Sequence, residues 1–258
     1  LFIFVSVLEA NMYKSKIFII LIAAVYVFYV VFEFNGNPDL AFYFESLIVP
    51  LVVARYVVSV KPKNKLFLLF FVIFAASDLL AIFDKIAYPD VNSSYYQYAY
   101  YLGNSLYVLA YFMLFFKMCQ SINFKYVFKN LKVHLFVLIV LDVYLIYVLY
   151  AIEQPNLRTN SIYFLENTYN IIILLVLSLS LLNYFYRDNE KSLFLFFGVL
   201  CLVFSEVIDV ANIYISQSSL LNFLATTLVL GAFYFFYEQS QLSNVSPRED
   251  KYYPHLKP

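Results

Sequence analysis

Eight long apolar stretches, each with no more than two charged side chains, recur along this chain at regular intervals, and nothing else in it constrains the fold as strongly. They cover residues 17–34, 40–60, 66–83, 98–118, 133–151, 162–184, 193–214 and 220–237. About 20 apolar residues in a helix cross about 30 Å of hydrocarbon. The runs are continuous rather than alternating, which excludes a membrane β-barrel. A composition of 63% hydrophobic and 13% charged residues excludes a soluble globule as well. The expectation is an all-α integral membrane protein of about eight transmembrane helices. A short N-terminal segment (1–16) precedes the polytopic domain (17–238), and a polar tail (239–258) containing Pro247, Pro254 and Pro258 follows it. The first span lacks a small-residue cleavage site and reads as a retained helix.

Orientation follows from the cations. Of 17 lysines and arginines, 14 fall at the N-terminus, in alternate loops or in the tail: Lys14 and Lys16; Lys61, Lys63 and Lys65; Lys117, Lys125, Lys129 and Lys132; Arg187 and Lys191; Arg248, Lys251 and Lys257. Lys85 and Arg158 fall in the opposite set, and Arg55 lies within a span. The positive-inside rule then puts both termini in the cytoplasm. Acidic residues number 17 as well, so no polybasic segment suggests a nucleic-acid partner. Without an elaborate targeting segment, a bacterial cytoplasmic membrane is the expected location, with the endoplasmic reticulum as the alternative.

A shift of half the chain relates Lys63 to Lys191, Ser77 to Ser205, Asp78 to Glu206, Asp84 to Asn212 and Gly103 to Gly231. Four spans per half is an even number, so the shift predicts two parallel four-helix repeats about an axis along the membrane normal. The Ser-acid pair is its most informative part. Asp78 follows Lys63 at the same spacing as Glu206 follows Lys191, so the two acids reach similar depth. Asp209, one helical turn after Glu206, shares its helix face. An acid within a span is costly unless it is used. Neighbouring carboxyl groups in low dielectric do not both ionise easily, which is the equipment of acid–base catalysis and equally of a proton-coupled carrier. The structural alternative is an interhelical hydrogen bond.

Other residues carry less. Asp142 is expected as a buried partner for Arg55 or a tyrosine, and Glu33, Glu45, Asp84, Glu166 and Glu238 as solvated acids near span ends. Asn104, Asn170, Asn212, Thr226 and Thr227 could line a polar cavity or tie helices together. The tyrosines at 95, 96, 98, 100 and 101 read as an aromatic belt. His134 and His255 have no partner at ligand spacing, so no metal site is expected. Cys119 and Cys201 are too few for a disulfide framework, and no cofactor motif is present.

Several motifs resemble the YhhN-like lysoplasmalogenase family. They are Val60-Lys61-Pro62 before the third span and the run Phe74-Ala75-Ala76-Ser77-Asp78-Leu79-Leu80 within it. In the fourth span Gly103, Tyr107 and Ala110 fit the family pattern, while Tyr111 stands at its histidine and Leu114 at its final tyrosine. Gly198, Ser205 and Glu206 follow the seventh-helix pattern, with Glu for Asp, and Tyr234 to Gln239 echoes the Tyr-rich close. The resemblance implies hydrolysis of the vinyl ether of a lysophospholipid-like membrane lipid, with Asp78 and Glu206 as the acid–base pair. Lys61, Asn104, Tyr111 and Asp209 are the accompanying candidates for substrate binding, Lys61 in a structural or phosphate-facing role. A tyrosine at 111 can donate a hydrogen bond but cannot shuttle protons near neutral pH. Two other classes compete: a non-catalytic lipid-binding or scaffolding subunit with protein partners, and a proton-coupled transporter.

Overall fold

The structure, a computed structural model, describes residues 2–87, 94–153 and 160–243. Arg158 and the tail beyond residue 243, with Arg248, Lys251, Lys257 and His255, lie outside the described residues. Among the described residues there are nine helices and no strand: α1 (Phe2–Phe34), α2 (Pro38–Ser59), α3 (Lys65–Ala87), α4 (Ser94–Cys119), α5 (Phe124–Asn130), α6 (Lys132–Glu153), α7 (Asn160–Arg187), α8 (Glu190–Tyr214) and α9 (Ser219–Gln241). All but α5 are long and apolar enough to cross a membrane, and they fall on the eight expected stretches. Helices follow because hydrocarbon offers no partner to the backbone, so every N–H and C=O must be satisfied within the segment.

The helix ends are written in short polar residues. Asn189 and Ser218 cap α8 and α9, accepting from the backbone N–H of Ser192 (2.9 Å) and Leu220 (3.3 Å). Asn123 caps α5 in the same way, by accepting from Tyr126 N–H. This two-turn helix lies inside an expected loop, and the apolar pattern does not signal it because so short a segment shows no period. Between α1 and α2 the chain reverses within a tight turn, and Gly36 takes the left-handed backbone (φ 74°) that such a reversal needs.

Consecutive long helices run antiparallel. α2, α3, α4, α7, α8 and α9 pack in that order, and α9 returns to α2 to close a ring. α1 packs outside on α2 and α9, and α6 outside on α7 and α8. Their outward residues are correspondingly bare, Ile20 being 69% and Phe136 68% exposed, as lipid-facing surface should be. Asp142 does not meet Arg55: its Oδ2 accepts from the Ser178 hydroxyl at 2.7 Å, tying α6 to α7. Arg55 instead lies 3.9 Å over the Tyr237 ring.

Across the ring runs a layer of fully buried aromatic side chains. Phe70 stacks on Phe233 (centroids 5.9 Å, planes 11° apart) and meets Phe236 edge-on (5.6 Å). Phe67, Phe71, Phe74, Tyr56 and Tyr111 complete the layer. Lipid supplies no hydrophobic drive between helices, so this close packing carries the association. α8 approaches α9 across Gly198, where an added Cβ would come within 2.5 Å of the Phe236 ring and 3.2 Å of the Ala232 carbonyl. Phe236 is wedged among Phe67, Phe70 and Phe233 and cannot retreat. Gly198→Ala is therefore expected to destabilise the protein by about 1–3 kcal/mol, read as a lowered unfolding midpoint in lipid nanodiscs. An unchanged midpoint would contradict this packing.

Candidate functional site

On one side of the aromatic layer, toward the helix ends joined by residues 35–37 and 215–218, the ring encloses a cavity of about 520 Å³. All six ring helices contribute to it. Asp78 lies past the middle of α3, counted from Lys65, and Glu206 lies past the middle of α8, counted from Glu190. A constant rise of about 1.5 Å per residue therefore carries both acids into the same half of the bundle. Asp78, Glu206, Asp209 and Asn104, all singled out from the sequence, line this cavity together. Ile213, which also lines it, is 63% exposed, so the cavity opens near the end of α8.

Tyrosine hydroxyls hold the carboxylates. Tyr107 donates to Asp78 Oδ1, and Tyr111 donates to Glu206 Oε1 at 3.1 Å. Tyr169 reaches both Glu206 and the Tyr111 hydroxyl. Asp78 is within electrostatic reach of Glu206, and Asp209 of Glu206 as well. Helical spacing explains the set on α4: Asn104, Tyr107 and Tyr111 recur at helical intervals and so face one way. Ser77, beside Asp78, donates to the Gly103 carbonyl at 2.9 Å and fixes α3 against α4. Ser205, beside Glu206, is fully buried, and among the described residues its hydroxyl has no hydrogen-bond partner.

Two acids expected at solvated span ends belong to this cavity. Glu45 and Glu166 both line it. Glu45 accepts from the Thr226 hydroxyl at 2.5 Å, and that hydroxyl lies 2.9 Å from the Tyr29 hydroxyl. Glu166 accepts from Tyr100. The helices start earlier than the apolar runs, so each acid sits about two turns inside. Periodicity holds the signal for Glu45: buried Ala41, Ile48, Val49 and Val52 stand at helical spacing around it. Glu33, likewise expected to be solvated, is buried and accepts from Asn222 Nδ2 at 3.0 Å. Asn170 and Thr226 line the cavity, whereas Asn212 caps the turn before α9 and Thr227 pairs with Tyr26 at 2.7 Å.

Lys61 does not join this site. It is exposed in the α2–α3 connection, at the opposite end of the helices, because Asp78 lies more than halfway along α3. Five carboxyl groups face one cavity, yet among the described residues no three acids, histidines or cysteines stand close enough together to hold a metal ion. The fold and site define a polytopic α-helical membrane protein with a carboxylate- and tyrosine-lined cavity in one half of its bundle. The chain matches no family model, no curated protein and no solved structure.

An apolar carbodiimide added to membranes should reach the carboxyls of this cavity. Peptide mass spectrometry is expected to find adducts at Glu206 or Asp209, whereas a water-soluble carbodiimide should favour exposed acids such as Asp39 and Glu190. Modification confined to the exposed acids with both reagents would show the cavity to be closed.

Proposed function

We propose that this protein is an intramembrane lipid hydrolase that cleaves the vinyl ether of lysoplasmalogen-type lysophospholipids, with Asp78 and Glu206 as its acid–base pair. One observation carries the reading: two acids at matching positions of the chain's halves, on α3 and α8, line one cavity, and each accepts a tyrosine hydroxyl. A volume of about 520 Å³ is in the range of small-molecule sites, and the apolar remainder of the lining suits an acyl-chain-like substituent.

The chemistry needs one acid and one base. The acid gives its proton to the outer carbon of the C=C bond, leaving an oxocarbenium ion on the carbon next to oxygen. The base takes a proton from water as the water oxygen bonds to that carbon. The hemiacetal then breaks its bond to the glyceryl oxygen, which takes the proton held by the base while the hydroxyl proton returns to the acid. The glycerophospho-alcohol and a fatty aldehyde leave, with one water consumed and both carboxyl groups restored. Glu206, reached by two hydroxyls, has the solvation a carboxylate needs and suits the base. Asp78, with one hydroxyl, suits the acid. Asp209, Asn104 and Glu45 would line the substrate around them, whereas Tyr111, buried in the aromatic layer and absent from the cavity wall, would act only through its bond to Glu206. Water must be sparse here for such a cation to be directed, and a cavity ending on an aromatic layer supports that.

The two-repeat architecture belongs to the same reading. The pairings of α1–α4 recur in α6–α9: α2 with α3 as α7 with α8, α3 with α4 as α8 with α9, and α4 with α7 as α9 with α2. Positions related by the half-chain shift line the cavity in pairs, Asp78 with Glu206, Ala81 with Asp209 and Phe42 with Asn170. The pseudo-axis then passes between the two acids. With the lysine-rich end inward, both termini are cytoplasmic and the cavity opens toward the outer face of a bacterial cytoplasmic membrane.

Tyr111 favours one further reading, a lipid-binding subunit without turnover, because the side chain at the family's histidine position is spent on Glu206. A through-going carrier is disfavoured by the aromatic layer that floors the cavity. Purified protein in nanodiscs is expected to release aldehyde from a lysoplasmalogen and not from an ester lysophospholipid of equal chain length. Asp78→Asn and Glu206→Gln should each lower kcat by about 100-fold or more. Ala81→Trp, which fills the cavity without changing a charge, should abolish turnover while the unfolding midpoint holds. Absence of aldehyde from folded protein that still binds the lipid would overturn the hydrolase and leave the binding subunit.

A further inference from the structure

A second hollow, of about 410 Å³, lies on the other side of the aromatic layer, at the lysine-rich end of the bundle. Lys117 from the end of α4, Arg187 from the end of α7 and Lys191 from the first turn of α8 converge on it, and among the described residues no carboxylate lines it. Asn64, Ser192 and Gln239 are among the remaining polar residues of its wall. Among the described residues, the hydrogen bonds of each cation run to neutral acceptors. Lys117 Nζ donates to Ser121 Oγ (2.8 Å), Arg187 to the Ser121 carbonyl (2.8 Å) and Asn183 Oδ1 (3.1 Å), and Lys191 Nζ to the Leu242 carbonyl (2.7 Å).

These three differ from most other cations at this end; Lys63 is half-buried as well but does not line the hollow. Lys61, Lys125 and Lys129 are exposed, as a positive-inside bias alone would leave them. Lys117, Arg187 and Lys191 are half-buried and within electrostatic reach of one another. Drawing three like charges into one partly desolvated hollow is unfavourable unless something negative joins them. The acids nearest in sequence, Asp188 and Glu190, do not line the hollow. The first turn of the 25-residue α8, capped by Asn189, adds its positive dipole end to the same wall.

We propose that this hollow binds a phosphate group carrying an organic substituent. Arg187 and the two lysines neutralise its charge, and Ser192 and Asn64 are the hydrogen-bonding neighbours. A lipid whose headgroup is a phosphate monoester and a soluble phosphate monoester share this chemistry, and basic pockets between membrane helices take anionic headgroups. The site is independent of the carboxylate cavity and of any reaction there.

The test uses full-length protein in phosphatidylcholine nanodiscs, with thermal unfolding as the readout. One arm titrates glycerol 3-phosphate; the other replaces part of the lipid with phosphatidic acid. A saturable rise of the midpoint in the first arm identifies a soluble phosphate, and one in the second alone identifies a lipid headgroup; either supports the site. Lys117→Gln and Lys191→Gln should weaken the response by about tenfold each, whereas Lys125→Gln and Lys129→Gln should leave it unchanged. Arg187→Gln could unseat the Ser121 turn, so Lys191→Gln, whose partner is a single carbonyl near the end of α9, is the decisive variant. No saturable response in either arm, or equal loss in the Lys125 and Lys129 variants, overturns the proposal.

Discussion

Hydrocarbon has no hydrogen-bonding partner to offer, and the rest of this structure depends on that constraint. Backbone polarity is consumed within eight long helices, so the helices meet through side chains alone. With no hydrophobic drive between apolar surfaces in lipid, shape decides which helices associate. Here the shape is aromatic. Phe67, Phe70, Phe71, Phe74, Phe233 and Phe236 interlock at the centre of the ring, and Gly198 lets α8 come close enough to α9 to complete it. Edge and stacked pairs of this kind contribute about 0.5–1.5 kcal/mol each beyond buried area.

The same layer separates two hollows of opposite character. One gathers Glu45, Asp78, Glu166, Glu206 and Asp209 among tyrosines; the other gathers Lys117, Arg187 and Lys191 among amides and hydroxyls. Neither set is internally paired, and among the described residues the ion pair is a surface one, Lys85 with Asp39 at 2.8 Å. Tyrosine suits the acidic half because its ring packs as part of the wall while its hydroxyl reaches a carboxylate, so solvation is supplied without admitting bulk water. That arrangement underlies the proposed vinyl ether chemistry, which asks for an acid and a base in a dry, lipid-shaped space.

The residue order made the eight spans legible, because about 18 or more apolar residues in a row admit one solution in lipid. It also placed Asp78, Asn104, Glu206 and Asp209 in the interior of their spans, since rise per residue is constant in a helix. Depth is not azimuth, however. Which acids share a cavity depends on how each helix is rotated and on which neighbours it meets, and both are set by packing between distant segments. Glu45 and Glu166 therefore read as solvated ends in the sequence, although they face inward two turns from their helix starts. Lys61 stands in a suggestive motif and lies at the far end. Asp142 meets Ser178 rather than Arg55 for the same reason. The convergence of Lys117, Arg187 and Lys191 is equally invisible, because in sequence each is one more cation in a lysine-rich loop. The packing of six helices around an aromatic layer is what gathers these scattered charges into two hollows.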